Sequence, residues 1–161
     1  MEEKDNKHGS DKRLDFIRSA HNEKRENEIR TDRMEDYLEV IYELIQQKGY
    51  ATTADISKYL NVSSPSVTKM VKRLDENHYL IYEKYRGLRL TKSGINIAKT
   101  IQEKHSLFAE FLKIIGVDDE TAHVDAEGIE HHLHPITIKR LEKFIMTLKK
   151  RDPKLIEDLK K

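Results

Sequence analysis

Ser63-Ser64-Pro65-Ser66-Val67-Thr68-Lys69-Met70-Val71-Lys72-Arg73-Leu74, followed closely by Tyr79-Leu80-Ile81-Tyr82-Glu83-Lys84-Tyr85-Arg86-Gly87-Leu88-Arg89-Leu90-Thr91, decides the fold. Asn61-Val62-Ser63 reads as a turn. Ser64 then supplies an N-cap, and Pro65 takes the first helical position, where its missing N–H costs nothing. Val67, Met70, Val71 and Leu74 recur at i, i+3, i+4, i+7 and give that helix one buried face. Ser66, Thr68, Lys69, Lys72 and Arg73 occupy the other. Upstream, Thr52 or Thr53 caps a shorter helix carrying Ile56, Tyr59 and Leu60. Two short helices across a tight turn, the second with a small-polar and basic outer face, describe a helix-turn-helix. Tyr79–Lys84 reads as a strand, Tyr85-Arg86-Gly87 as a turn and Leu88–Thr91 as a returning strand. A plain helical hairpin has no use for such a basic ribbon, so it is read as a wing, with Lys84, Arg86, Arg89 and Lys92 near its tip and edge. The expected DNA-facing set is Ser64, Pro65, Ser66, Thr68, Lys69, Lys72, Arg73, Arg86 and Arg89.

Outward from this core the chain is helical. Met34, Tyr37, Leu38, Ile41, Leu44 and Ile45 recur at helical spacing up to Gly49, with Asp36 and Glu39 on the opposite side. Beyond the wing a long helix runs from Lys92 to Ile115. Its stripe is Ile95, Ala98, Ile101, His105, Phe108, Leu112 and Ile115, and Gly116 stops it. Heptad-like spacing on such a helix is a common way to build a dimer. Asp118 or Asp119 caps the next helix, whose apolar stripe is Ala122, Ala126, Ile129 and Leu133. After Pro135, Ile136, Ile138, Leu141, Phe144, Ile145 and Leu148 form another amphipathic helix, and Asp152-Pro153 opens a short last one. The expected class is mostly α: a winged helix-turn-helix over 32–92, then an all-helical metal-binding and dimerisation domain over 93–161. Residues 1–31 form a charged extension in which Leu14, Phe16, Ile17 and Ile29 are almost the only large apolar groups. That segment is expected to be disordered or loosely helical.

Bulk composition narrows the function classes. Charged residues make up 37% of the 161, and the formal net charge is only +1, so any DNA face is a local basic patch. The chain has no cysteine, which excludes disulfides and thiolate sites. No apolar run reaches the ~18 residues of a membrane span, and the N-terminus lacks a signal-peptide core. A cytoplasmic protein is expected. No catalytic triad, phosphate-binding glycine loop or organic-cofactor motif is present, and the chain is not read as an enzyme.

Glu127-Gly128-Ile129-Glu130-His131 carries the other chemistry. Helical spacing places Glu127, Glu130 and His131 on one face. Asp36 and Glu39 repeat the i, i+3 spacing, and His105 interrupts an apolar stripe. Carboxylates and imidazoles without sulfur suit a cation such as Mn²⁺ or Fe²⁺. Gly128 costs about 1 kcal/mol against alanine inside a helix, which predicts crowding of the backbone there. His123, His132 and His134 read as bystanders. Taken singly, His105 reads first as a hydrogen-bonded core residue and the carboxylates as solvated charges. Spacing alone does not bring Asp36 and Glu39 to the later cluster.

Several of these segments resemble one known family. Met34-Glu35-Asp36-Tyr37-Leu38-Glu39, Ser66-Val67-Thr68-Lys69-Met70-Val71, Tyr79 to Leu88, and Ile114-Ile115-Gly116-Val117-Asp118 through Glu127 to Leu133 are similar to the manganese-responsive branch of the diphtheria-toxin-repressor family of metal-dependent repressors. The similarity covers roughly residues 33–150. It implies a homodimer that binds double-stranded operator DNA and silences manganese-uptake genes when the ion is plentiful. It also implies two metal ions per subunit, Mn²⁺ by this branch, held by Asp36, Glu39, His105, Glu127, Glu130 and His131. Iron-responsive relatives have Met and Cys where this chain has Asp36 and Glu127. The extension before Asp32 and the local turn Ser63-Ser64-Pro65 depart from the branch, and there is no room for the further C-terminal domain of the larger iron-type relatives. Two alternatives are a winged-helix regulator answering iron or a small ligand, and a di-metal carboxylate enzyme. The latter uses two Glu-x-x-His motifs on paired helices, and this chain has one such cluster.

Overall fold

A computed structural model describes residues 12–15, 18, 24–83 and 87–159. The expectation for residues 1–31 therefore falls partly outside the described residues, as do Lys84 and Arg86 at the wing tip. The chain divides into two units, Met1–Met34 and Glu35–Lys161. In the first, the described backbone is helical at 12–15, at 18 and from Lys24 onward. The second carries the remaining architecture.

Helix α1 spans Lys24–Lys48. Gly49, at φ +84°, ends it in the left-handed conformation that glycine adopts without strain, its N–H bonded to the Ile45 carbonyl. Helix α2 (Thr53–Tyr59) opens on a capping box in which Thr52 and Asp55 bond each other's backbone N–H. Asn61, at φ +50°, turns the chain into α3 (Ser64–Glu76). The N-cap of α3 is Ser63 rather than Ser64, and Pro65 therefore stands at the second helical position. Ser63 makes no side-chain bond to the helix backbone; its hydroxyl pairs with that of Ser66 at 2.9 Å. Proline at either position is tolerated because both N–H groups precede the first intrahelical bond.

Strands β1 (Leu80–Glu83) and β2 (Gly87–Leu90) pair antiparallel, with Leu80 opposite Leu90 and Ile81 opposite Arg89. Leu88 and Leu90 point inward while Arg89 is exposed, the period-2 alternation of a half-buried ribbon. Thr91 caps α4 (Lys92–Ile114) by accepting from the Gly94 N–H, and its hydroxyl also reaches the His78 and Tyr79 carbonyls. The wing and the long helix are thus fastened together by one side chain. Asp118 caps α5 (Asp119–Ile129), His134 caps α6 (Pro135–Arg151), and α7 covers Pro153–Leu159.

The most deeply buried apolar side chains include Leu38 and Ile41 of α1, Ile56, Val67, Val71 and Leu74 of the helix-turn-helix, Leu80 of the wing and Ile101 of α4. Farther along α4, Phe108 and Ala109 pack with Ala126 of α5, and Leu133, Ile138 and Leu141 lie against them. The expected mostly α class, a winged helix-turn-helix followed by helices, is the observed one.

Three local expectations change. Helix α5 ends at Ile129, so Glu130 is its C-cap and His131 lies in the turn beyond, not on the same helical face as Glu127. Ile129 is on the surface, and the buried position expected for it belongs to Glu130. Nothing lies within 4 Å of a Cβ built on Gly128, so crowding does not explain that glycine. Gly94 is the crowded one: a Cβ there would stand 2.0 Å from the Tyr79 carbonyl oxygen, where β1 begins.

Two substitutions test this contrast. Gly94→Ala should destabilise the protein by about 1–3 kcal/mol or more through overpacking against backbone. Gly128→Ala should stabilise it by about 0.5–1 kcal/mol, the helix-propensity difference. Urea unfolding of both variants measures this, and equal effects would contradict the packing described.

Candidate metal centre

Glu130 is the one buried charged residue among the described residues, with 0% of its surface exposed. From the C-cap position at the end of α5 its side chain turns inward to meet His105 of α4. Such a carboxylate is costly to bury unless each oxygen finds a partner. Its Oε2 has one, His105 Nδ1 on α4 at 2.9 Å. Its Oε1 makes no hydrogen bond, and it stands 3.5 Å from His131 Nε2, which makes none either. Two buried polar atoms, one oxygen and one nitrogen, thus face each other unsatisfied.

The other expected ligands gather around this pair. Asp36 on α1 places Oδ1 3.2 Å from His131 Nε2, out of hydrogen-bond alignment. Glu127, one turn before Glu130, places Oε2 3.5 Å from His105 Nδ1. Glu39 shares a cavity with Asp36 and Glu127. All of Asp36, Glu39, His105, Glu127, Glu130 and His131 are therefore brought into one neighbourhood, with α1 supplying the part that spacing alone left unplaced.

Proton affinities follow the geometry. Burial, then repulsion from Glu127, raises Glu39 to about 7. Burial, then repulsion from Glu39 and Glu127, raises Glu130 to about 8. The carboxylates of Asp36 and Glu35 raise His131 to about 10. Burial pushes His105 below its ordinary value, against the pull of Glu127. Repelling carboxylates around unsatisfied atoms, with imidazoles and no sulfur, are a donor set fitted to a hard or borderline divalent cation.

Two participants were missed from sequence. Glu35 accepts from His131 Nδ1 at 3.0 Å. His123, read as a bystander, sits with Nδ1 2.9 Å from His105 Nε2, its ring stacked on that of His105. Both had a readable signal: Glu35 lies at i, i+4 from Glu39, and His123 at i, i+4 from Glu127.

Of the residues expected to face DNA, Ser64, Pro65, Thr68, Lys69 and Lys72 line one shallow surface depression along α3. Ser66 is exposed, Arg73 is half-buried, and Arg89 projects from β2 into solvent. The Thr68 hydroxyl donates to the Ser64 carbonyl at 3.0 Å, leaving its oxygen free to accept. Arg86 lies outside the described residues.

Residues 30–88 match the family described as iron dependent repressor, N-terminal DNA binding domain. Residues 91–157 match its metal binding and dimerisation domain. The chain is 50% identical over 130 residues to the HTH-type transcriptional regulator MntR of Bacillus subtilis (strain 168), covering 81% of this chain and 91% of that protein. It is 49% identical over 127 residues to the MntR of Bacillus pumilus (strain SAFR-032), covering 79% and 88%. Among solved structures it resembles the manganese regulator SloR, with a TM-score of 0.62 at 34% identity over 70% of this chain; it spans 53% of the length of the SloR chain.

The shifted groups predict how the metal-free protein responds to pH. Folded Glu39 and Glu130 hold their protons to about 7 and about 8, whereas unfolded glutamates release theirs near 4.5. Between those values the folded chain binds more protons, so stability falls as pH rises. His131, at about 10 against an ordinary 6.5, has the same sign and extends the decline upward. His105, lowered from 6.5, opposes it just below that value. The melting temperature without metal should therefore drop from about pH 5 to about pH 8, and added divalent cation should offset the drop. Thermal scans by circular dichroism check this; a profile that rises with pH would contradict it.

Proposed function

The chain belongs to the iron dependent repressor family, a DNA-binding domain joined to a metal-binding and dimerisation domain, and from that premise we propose that it is a manganese-responsive repressor of manganese-uptake genes. The observation that carries this reading is the unsatisfied pair Glu130 Oε1 and His131 Nε2 amid Asp36, Glu39, His105 and Glu127. Manganese is favoured over iron because no thiolate or thioether joins the set and hard anionic donors predominate. The B. subtilis relative, of 50% identity, is named MntR, and the similar SloR is titled a manganese regulator. Two ions per subunit suit a donor set that Glu130 divides, with His131 beside Oε1, Asp36 beside His131, and His105 beside Oε2. Residues 32–92 would read DNA and 93–161 would hold metal and dimerise, in the cytoplasm where the operators are.

Bound cations would add positive charge beyond what the His131 imidazolium, its proton affinity raised to about 10, already supplies. Without it, Asp36 and Glu39 on α1 repel Glu127 and Glu130 behind the wing. Protons held on Glu39 and Glu130 relieve only part of that repulsion, and α1 keeps fewer ties to α4 and the end of α5, Glu43 with Gln102 and Glu35 with His131 among them. With the charge offset, Asp36 and Glu39 draw toward His131 and Glu130. Because α1 also packs Leu38 and Ile41 into the buried core, this fixes α3 and the wing relative to the dimer. Two recognition helices then stand about one helical turn of DNA apart. The coupling is reciprocal, so operator DNA tightens metal binding by the same factor.

At the DNA, Lys69, Lys72, Arg73, Arg86 and Arg89 would meet phosphates, and Ser66 and Thr68 base edges or backbone, with Ser64 and Pro65 at the helix start.

Glu39→Lys and His131→Ala should each abolish Mn²⁺-stimulated operator binding in a gel shift while leaving the dimer intact by size-exclusion chromatography. Operator binding equal to wild type at saturating Mn²⁺ would end the proposed switch. Lys72→Ala should weaken binding at all sequences and reduce the slope of log affinity against log salt by about one. An unchanged slope would remove Lys72 from the phosphate contacts.

A further inference from the structure

His131 meets a carboxylate of α1 at each ring nitrogen, and only Nε2 also faces Glu130. Nε2 lies 3.2 Å from Asp36 Oδ1 and 3.5 Å from Glu130 Oε1, without a hydrogen bond. On the other edge of the ring, Nδ1 lies 3.0 Å from Glu35 Oε2. The histidine side chain is only 9% exposed, so its orientation is set by these neighbours rather than by water. Glu35 and Asp36 are consecutive on α1, yet they address opposite nitrogens of the same imidazole.

That arrangement has a chemical consequence. An imidazole ligates a cation through the lone pair of one nitrogen, and the hydrogen bond made by the other decides which nitrogen that is. A carboxylate facing Nδ1 holds the proton there and raises the basicity of Nε2. From this geometry we infer that Glu35 is a positioning residue: by accepting the Nδ1–H of His131 it fixes the ring and commits Nε2 to the divalent cation. The inference rests on the metal-site reading above and adds to it a residue outside the ligand set. It also gives His131 a second anchor on α1, so the helix is bound to the turn after α5 through both Glu35 and Asp36.

Two measurements test it. In protein loaded with ¹¹³Cd²⁺ and labelled with ¹⁵N, long-range proton–nitrogen spectra should show cadmium coupling at His131 Nε2 and a retained proton at Nδ1. Because this uses the unaltered chain, it does not depend on a variant folding. Glu35→Ala should weaken Mn²⁺ binding, followed by the free-ion paramagnetic resonance signal, by about 10- to 100-fold. Glu35→Gln, which keeps an acceptor oxygen, should fall between Ala and wild type. Cadmium coupling at Nδ1, or wild-type Mn²⁺ affinity in Glu35→Ala, would overturn the positioning role while leaving the metal site standing. Gln no better than Ala would replace hydrogen-bond acceptance with charge or direct ligation, and would overturn it too. Coupling at neither nitrogen of His131 would remove the metal-site reading and this inference together.

Discussion

A carboxylate with no exposed surface and one oxygen left unsatisfied organises this molecule. Glu130, the C-cap of α5, is buried while its apolar neighbour Ile129 lies on the surface, and it meets His105 through one oxygen and faces His131 with the other. Burying such a group without compensation costs more than most hydrophobic contacts return. Its proton affinity, raised to about 8, shows one response to that cost in the metal-free chain. A cation is the other response that the proposed function invokes, and the choice between proton and cation is what would make the fold responsive.

On the proposed function, the placement of the centre gives a local event a route to DNA. Helix α1 presents Glu35, Asp36 and Glu39 to the site and sends Leu38 and Ile41 into the buried core. Helix α4 carries His105 and is fastened at its start to the wing through Thr91. Both helices therefore connect the site to the DNA-reading elements directly. Gln102 of α4 also bonds Glu43 of α1 at 2.5 Å, a metal-independent tie between them. No separate transmission path is required; the elements that hold the charge are also the ones whose positions matter.

Local patterning carried most of the fold. The stripe Val67, Val71 and Leu74 and the alternation of Leu88, Arg89 and Leu90 are periodicities that survive into the structure because each element buries one face. Glycines at 49 and 116 stop their helices as read, both at positive φ. The end of α5 was not legible: helical spacing continues through His131, but the backbone leaves the helix after Ile129 so that Glu130 and His131 point to a common centre. The capping residue of α3 was misplaced by one position for a similar reason, since Ser63 and Ser64 are equally good caps on paper. The convergence of α1 on His105 and Glu130 is tertiary, and no local period encodes it; the resemblance to a family supplied it. Glu35 and His123 were passed over because adjacent ligands at equivalent spacing drew the reading first.

Glu130 Oε1 and His131 Nε2, without hydrogen bonds and beside Asp36, are the two atoms that the proposed function commits to a cation. The direct measurement is a crystal structure grown with Mn²⁺, with anomalous diffraction collected across the manganese edge. An anomalous peak bonded to both atoms, with Asp36 among its other neighbours, is the expected result. A structure in which manganese binds elsewhere, while those two atoms remain unligated or bond only to protein, would contradict it.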